Sequence, residues 1–82
     1  MKHQLKIWPE YLSAIRLGLK PYEIRKNDRN YQTGDILALN EWNPRTKKYS
    51  GDYITIIVKS VAHECIGVKR GYCVMTIEAG GE

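Results

Sequence analysis

Helical periodicity occurs in one segment of the sequence, and turn residues divide the rest of the chain into short runs. Within residues 9–18, Leu12 and Ile15 recur at helical spacing. Pro9 suits a first helical turn, and Gly18 suits a left-handed stop. A helix this short is stable only when it packs on a sheet. The chain is therefore predicted to place one early helix against strands.

Alternating polar and apolar residues predict five or six short strands. The predicted strands are residues 3–8, 22–25, 36–40 with a short extension to 42, 53–61 and 72–78. Residues 63–68 fit no single pattern, and residues 79–82 are predicted to fray. The expected fold class is α+β, mostly β, as a small curled sheet or partly open β-barrel. The single prominent helix, near the N-terminus, is expected to plug one end of it.

The length of 82 residues allows one domain, over residues 1–82, with a narrow margin of stability. The apolar run at 53–58 is far too short to cross a bilayer, and the opening residues lack the apolar stretch of a signal peptide. We therefore expect a cytoplasmic protein without a membrane partner. Cys65 and Cys73 are expected to be free thiols there. His3 and His63 have no matching ligand set, so neither a metal nor a cofactor is predicted.

The net charge of +4 is concentrated in two windows of the sequence. Residues 16–29 and residues 45–48 each carry a net charge of +3, whereas the remainder of the chain carries −2. This distribution predicts one basic face, which would attract a polyanion such as RNA. A basic surface that only keeps the protein in solution would give the same pattern.

The most unusual stretch runs from residue 18 to residue 29, where seven of twelve residues are ionisable and both signs are present. Glu23 and Arg25 share one face of the predicted strand, about 7 Å apart. They can pair with each other or with Lys20 near the helix end. Two interpretations follow: an ion-pair network that fixes the helix to the strand, or a polar cleft that binds an anion or a base.

The spacing Gly18-x-Lys20-x-x-Glu23-x-Arg25 resembles the signature of the activating-signal-cointegrator homology (ASCH) domains. These domains have the small β-barrel fold of the PUA superfamily. The resemblance implies a PUA-like barrel in which this segment lines a cleft beside the helix. It also implies RNA binding, the role suggested for the superfamily.

The longer run from Glu23 to Arg29, with the letters EIRKNDR, looks still closer to one narrow group of bacterial and phage proteins in the same superfamily. The function of that group is open. The similarity includes the later Tyr31, Gly34 and Asp35. It also includes the opening HxLKI at residues 3–7 and the YSG at residues 49–51, so it covers nearly the whole chain.

Some small bacterial relatives in the superfamily resemble amidohydrolases that remove the acyl group from acetylated cytidine. Their lysine, threonine and glutamate would act as base, nucleophile and third catalytic group. Lys20 matches the lysine, but Glu23 stands where those enzymes carry threonine, and Glu78 is a candidate for the glutamate. A carboxylate replaces an alcohol poorly in acyl transfer, although Glu23 could instead activate a water molecule. Hydrolase activity, with Lys20 and Glu23 catalytic, is thus an alternative to binding.

The predicted ligand-binding set extends beyond Lys20, Glu23 and Arg25. Its other members are basic, polar or aromatic: Lys26, Asn27, Asp28, Arg29, Trp42, Arg45, Lys47 and Lys48. The basic members would meet phosphates, and Trp42 would stack on a base or pack. Asn27 and Asp28 would read base edges or form a turn. Tyr22 and Tyr31 are further stacking candidates, although core packing is the preferred expectation for Tyr22. Trp8 is also expected in the core.

Three classes of function stay open at this point: a module that binds RNA or a nucleotide-like ligand, a small amidohydrolase, and a protein-interaction module without nucleic-acid binding. The binding module is the preferred prediction, and enzymatic activity is left uncertain. The sequence predicts no oligomeric state.

Overall fold

The computed structural model describes residues 1–63, 65 and 67–79. Its elements, in chain order, are β1 (Lys2–Ile7), α1 (Pro9–Arg16), β2 (Tyr22–Lys26), β3 (Ile36–Asn43), β4 (Lys48–His63) and β5 (Tyr72–Ala79). The five strands form one sheet in the order β1-β3-β4-β5-β2. β1 runs parallel to β3, and every other pairing is antiparallel. The sheet curls into a half-barrel, so the expectation of a mostly-β α+β domain with one short helix is confirmed.

The helix α1 begins and ends for local reasons. Pro9 fixes a helical φ at the first position, where no intrahelical N–H bond is lost. Leu17 caps the end, and Gly18 follows with φ +77°, as its left-handed stop requires. The helix is therefore two residues shorter than the predicted 9–18. It buries Leu12 and Ile15 against the sheet.

The core lies inside the curl, where the inward face of each strand meets α1. The strand residues that fill it are Leu5, Ile7, Leu37, Leu39, Ile56, Val58, Cys73, Met75 and Ile77. The period-two pattern of β5 predicted that Cys73, Met75 and Ile77 share a face, and that face is buried. Cys73 and Cys65 are both free thiols, the first buried and the second exposed.

The long strand β4 bends the sheet. It was predicted over 53–61 but runs from Lys48 to His63, pairing first with β3 and then with β5. The register shifts between Asn40 and Trp42 on β3 and between Val58 and Ser60 on β4. Such irregularities increase local twist, and here they help the sheet curl. Residues 80–82 of the predicted tail, and residues 64 and 66, lie outside the described residues.

The short strand β2 is turned opposite to its hydrophobic pattern. Tyr22, expected in the core, is 40% exposed, and Ile24 on the same face is 56% exposed. Glu23 is buried instead, and Arg25 is half-buried beside it. Trp8 was also expected in the core and is 43% exposed. Both core predictions are wrong. Tyr22 faces outward because the charged residues of β2 find partners inside the curl. Trp8 packs on Tyr11 at the surface, at the start of α1.

The half-barrel leaves an opening between its two edge strands, β1 and β2, which we call the seam. The Arg25 guanidinium on β2 donates a hydrogen bond across it to the backbone carbonyl of Lys6 on β1. In the sequence, α1 connects these two edges. The seam is thus bordered by one continuous piece of chain, residues 2–26.

Candidate functional site

Three predicted site residues, Lys20, Glu23 and Arg25, form one ion-paired chain. The Lys20 ammonium donates to Glu23 Oε1 at 2.9 Å, and Arg25 Nε donates to Glu23 Oε2 at 2.7 Å. The Glu23 side chain is 6% exposed, whereas those of Lys20 and Arg25 are 17% and 21% exposed. Strand alternation places Glu23 and Arg25 on one face, and the end of the α1–β2 connection brings Lys20 to them. The carboxylate therefore meets a cation at each oxygen.

Aromatic rings surround the lysine of this chain. The Lys20 ammonium lies 5.0 Å from the Tyr22 ring centroid and 5.4 Å from that of Tyr11, within the range of cation–π attraction. It also donates to the Tyr22 carbonyl at 3.1 Å. Lys20 is thereby held at the junction of helix and strand. This geometry supports the interpretation that the network fixes α1 to β2, and it leaves Arg25 as the member that reaches the seam.

A cleft of about 320 Å³ opens at the seam. Its polar and aromatic lining consists of Gln4, Lys6, Arg25, Arg29, Asn40 and Tyr49. Three of these side chains are cationic, and within residues 1–63, 65 and 67–79 no carboxylate lines the cleft. We call this the seam cleft; it joins Arg25 to Arg29, two residues of the predicted set, and to Lys6 and Tyr49, which sequence analysis missed.

Strand order explains why Lys6 and Tyr49 were missed. Lys6 opposes Asn40 across the β1–β3 pair, and Tyr49 opposes Trp42 across the β3–β4 pair. Neither residue belongs to a charged or aromatic motif in the sequence. The alternation of β1 predicts only that Lys6 points away from the core. Which strands lie beside β1 cannot be predicted from that alternation and is known only from the structure.

The remaining residues of the predicted 26–29 segment divide between turn and cleft. The Asn27 backbone N–H donates to the Gly71 carbonyl at 2.8 Å, and the Asp28 N–H donates to the Lys26 carbonyl at 2.9 Å. These bonds favour the turn interpretation of Asn27 and Asp28. Asn27 Oδ1 is buried and has no hydrogen-bond partner in the described part of the chain. Lys26 is exposed outside the seam cleft.

The predicted basic loop is the tip of the β3–β4 hairpin. Asn43 Oδ1 accepts the Arg45 N–H at 2.8 Å, and the Asn43 carbonyl accepts the Lys47 N–H at 2.7 Å. Arg45, Lys47 and Lys48 are all exposed or half-buried there. Behind the tip, the Lys6 ammonium lies 4.4 Å from the Trp42 ring centroid. The tip therefore adjoins the seam cleft through Lys6, Trp42 and the neighbouring Tyr49.

A second pocket, of about 430 Å³, lies on the other side of the hairpin tip. It is lined by Trp8, Pro9, Glu10, Asn43, Pro44 and Arg45. We call it the Trp8 pocket. The Trp8 ring packs parallel to Tyr11, with 5.9 Å between centroids and 13° between planes. Trp8, which was predicted to lie in the core, and Arg45, which was predicted to bind a ligand, thus both line the Trp8 pocket.

A buried polar cluster around Asp35 escaped sequence analysis. Asp35 accepts hydrogen bonds from His3 Nε2 at 2.9 Å, the Gln32 N–H at 3.0 Å and the Met1 ammonium at 3.2 Å. Burial would raise the pKa of Asp35, but these bonds outweigh it and lower the pKa below its usual 3.8. The Tyr31 ring packs edge-on against His3 and is buried, so the prediction that Tyr31 stacks on a base is wrong.

The third residue of the hydrolase alternative lies apart from the first two. The Glu78 carboxylate is 3.9 Å from the Lys59 ammonium on the exposed surface of β5 and β4. No group of three or more His, Cys, Asp or Glu side chains suited to a metal ion occurs among the described residues. In the same residues, no helix has the length and apolar character needed to cross a membrane.

These features define a class: a small, mostly-β half-barrel domain with a cation-lined cleft at its seam. The chain belongs to the family described as a domain of unknown function, DUF3850, whose model matches residues 2–77. This membership confirms the resemblance to a bacterial and phage family; the ASCH signature remains a resemblance.

Two individual proteins are similar to this chain, one in sequence and one in structure. A 40-residue stretch is 45% identical to an uncharacterised 12.9 kDa protein in the GpA 3′ region of Escherichia phage P2. The match spans 49% of the chain and 37% of that relative. The crystal structure of hypothetical protein PH0355 superposes with a TM-score of 0.70 over 96% of the chain and 99% of that protein. At 20% identity, this likeness establishes a shared fold alone.

Proposed function

We propose that this domain binds single-stranded RNA, or a nucleotide-like anion, in the seam cleft. One observation carries the proposal: Lys6, Arg25 and Arg29 line the cleft, and no carboxylate among the described residues does. Because Arg25 is paired with Glu23, the attraction for phosphate comes mainly from Lys6 and Arg29. Phosphate contacts are the dominant source of affinity in nucleic-acid binding. The cleft volume of about 320 Å³ is near the lower limit for small-ligand sites and suits one nucleotide unit.

The edge of β1 adds backbone donors to these side chains. The Ile36 N–H donates to the Met1 carbonyl. Because backbone groups alternate in direction along a strand, the N–H and C=O groups of the odd-numbered residues of β1 point toward β3. The backbone groups of Gln4 and Lys6 therefore point toward the seam. The hydrogen bond from Arg25 to the Lys6 carbonyl agrees with this alternation. A ligand in the cleft can thus meet backbone N–H groups as well as charged side chains.

The hairpin tip extends the electrostatic surface. Arg45, Lys47 and Lys48 are exposed on this tip, and we propose that they form the outer rim of the binding surface. Such exposed cations steer a polyanion without selecting a base. The resemblance to PUA-like and ASCH proteins, for which RNA binding has been suggested, supports the same conclusion. We extend the proposal to a PUA-like fold and a cytoplasmic location.

The hydrolase alternative receives less support from the geometry. A catalytic base must present a free lone pair, but the Lys20 ammonium donates to Glu23 and to the Tyr22 carbonyl. Glu23 is engaged by Lys20 and Arg25 together. We infer that these two residues position Arg25 at the seam rather than perform chemistry.

The proposal is tested by titrating the protein with single-stranded RNA and with free nucleotides at two salt concentrations. Affinity should fall as salt rises, and the nucleotides should be recovered unchanged. Arg29→Ala should weaken the binding of both single-stranded RNA and free nucleotides. Lys59→Ala is the matched control, because Lys59 is an exposed lysine that faces Glu78 and does not line the seam cleft. Absence of binding by the unmodified protein, or an equal loss in both variants, would refute the proposal.

Lys47→Ala tests the rim separately. It should weaken RNA binding similarly for all base sequences and flatten the logarithmic salt slope by about 0.7, the value for one single-strand phosphate contact. Glu23→Gln should instead change the preference among nucleotides, because it releases Arg25. If Lys47→Ala leaves the salt slope unchanged, the hairpin tip is not part of the binding surface. If Glu23→Gln leaves the preference among nucleotides unchanged, Glu23 is not part of the site.

A further inference from the structure

The Trp8 pocket adjoins the seam cleft along one line of chain. Lys6 in the seam cleft and Trp8 in the second pocket are two residues apart, about 7 Å in extended backbone. Trp42, beneath the Lys6 ammonium, is followed directly by Asn43 and Pro44, which line the Trp8 pocket. The two concavities therefore flank one cation–aromatic pair, Lys6 and Trp42.

Trp8 is held in a position that suits stacking. One face of its indole packs on Tyr11, yet the residue is 43% exposed. It precedes Pro9, whose ring limits the backbone at the start of α1. Tyr11 is also exposed, at 46%, so the two stacked rings form an aromatic patch on the surface. A supported indole of this kind loses little side-chain entropy when a second ring stacks on it.

The Trp8 pocket is also lined by a cationic residue, the exposed Arg45. The Arg45 N–H is bonded to Asn43 Oδ1, and this bond orders the hairpin tip beside the indole. An aromatic surface next to an arginine is the arrangement by which proteins hold single-stranded nucleic acid. Glu10 balances the charge of Arg45 in this pocket, so its affinity must come more from stacking than from charge.

We propose that the Trp8 pocket is a second nucleotide subsite and that the ligand is a single-stranded RNA oligomer of at least two nucleotides. The inference rests on the proposed function of the seam cleft. One nucleotide of the RNA occupies the seam cleft, and the RNA backbone continues past Lys6 and Trp42. The next base stacks on Trp8, and Arg45 contacts the adjoining phosphate. Trp8 is therefore a binding residue that selects oligomers over mononucleotides.

The test compares uridine monophosphate with a four-nucleotide uridine oligomer at one salt concentration. Loss of one base stack weakens binding by roughly 5- to 150-fold. In Trp8→Ala, the affinity for the oligomer should fall by that factor, and the affinity for the monophosphate should stay the same. Trp8→Phe, which retains a ring and guards against misfolding, should recover most of the oligomer affinity. Tyr72→Ala is the control, because Tyr72 lines neither the seam cleft nor the Trp8 pocket.

A second readout uses fluorescence. The chain has two tryptophans, so Trp42→Phe leaves Trp8 as the single indole reporter. The oligomer should quench this signal, and the monophosphate should not. Full oligomer affinity in Trp8→Ala, or equal losses for both ligands, would overturn the second subsite while the seam cleft stands. Failure of the unmodified protein to bind either ligand would overturn the proposed function itself.

Discussion

Glu23→Gln tests whether one buried carboxylate holds the helix, β2 and the seam together. Glutamine keeps the shape of the side chain but has one acceptor oxygen, so its amide nitrogen faces either Lys20 or Arg25. Removing one partner of a fully buried ion pair costs about 3–5 kcal/mol. Lys20 and Arg25 are 17% and 21% exposed and regain some water. The expected loss in the free energy of unfolding is therefore about 2–3 kcal/mol.

The assay is thermal unfolding followed by circular dichroism. For a domain of this size, each 1 kcal/mol shifts Tm by about 4–8 °C, so Glu23→Gln should lower Tm by roughly 8–24 °C. The control is Asp52→Asn, which disrupts the half-exposed pair between Asp52 and Arg16. That pair already meets water, so the change in Tm should be much smaller. A Glu23→Gln shift below about 4 °C, or one equal to the control, would refute the reasoning.

Three further predictions concern a thiol, a buried carboxylate and a backbone conformation. Burial raises the pKa of the Cys73 thiol, so a thiol reagent should modify the exposed Cys65 rapidly and Cys73 only on unfolding; two fast equivalents would contradict this. Since the folded pKa of Asp35 lies below its usual 3.8, its stabilising effect is complete above about pH 5 and is lost as pH falls through the folded pKa. Asp35→Asn should therefore flatten the loss of stability as pH falls below about 4, and an unchanged acid-unfolding curve would oppose the assignment. Lys47 has φ +56°, so Lys47→Gly should raise the free energy of unfolding by about 0.5–1 kcal/mol in urea titrations, and a decrease would contradict the backbone argument.

The strands were largely predictable because period-two alternation is a local property. The orientation of β2 was not. Its sequence shows correctly that Tyr22 and Ile24 share one face and that Glu23 and Arg25 share the other. Because Tyr22 and Ile24 are the apolar pair, hydrophobicity predicts that their face is buried, and this prediction is wrong. The charged face turns inward because Lys20 and the Lys6 carbonyl supply partners there, and those partners depend on tertiary structure.

The candidate site was predictable to a similar degree. The motif indicated Lys20, Glu23 and Arg25, and the structure brings them into direct contact. Lys6 and Tyr49 come to the same cleft through strand pairing, which no local pattern signals. His3 and Asp35 illustrate the same limit, because they meet only when β1 pairs with β3.

The position of the seam also determines when it forms during folding. Strands β3, β4 and β5 pair with their sequence neighbours, so they can assemble early. β1 and β2 lie close together in the chain yet attach to opposite ends of that sheet, and each must wait for the sheet to exist. The cleft between them is thus the last part of the molecule to form. A refolding chain should regain its sheet signal before it regains ligand binding, and the cleft region should be the first to open in hydrogen exchange.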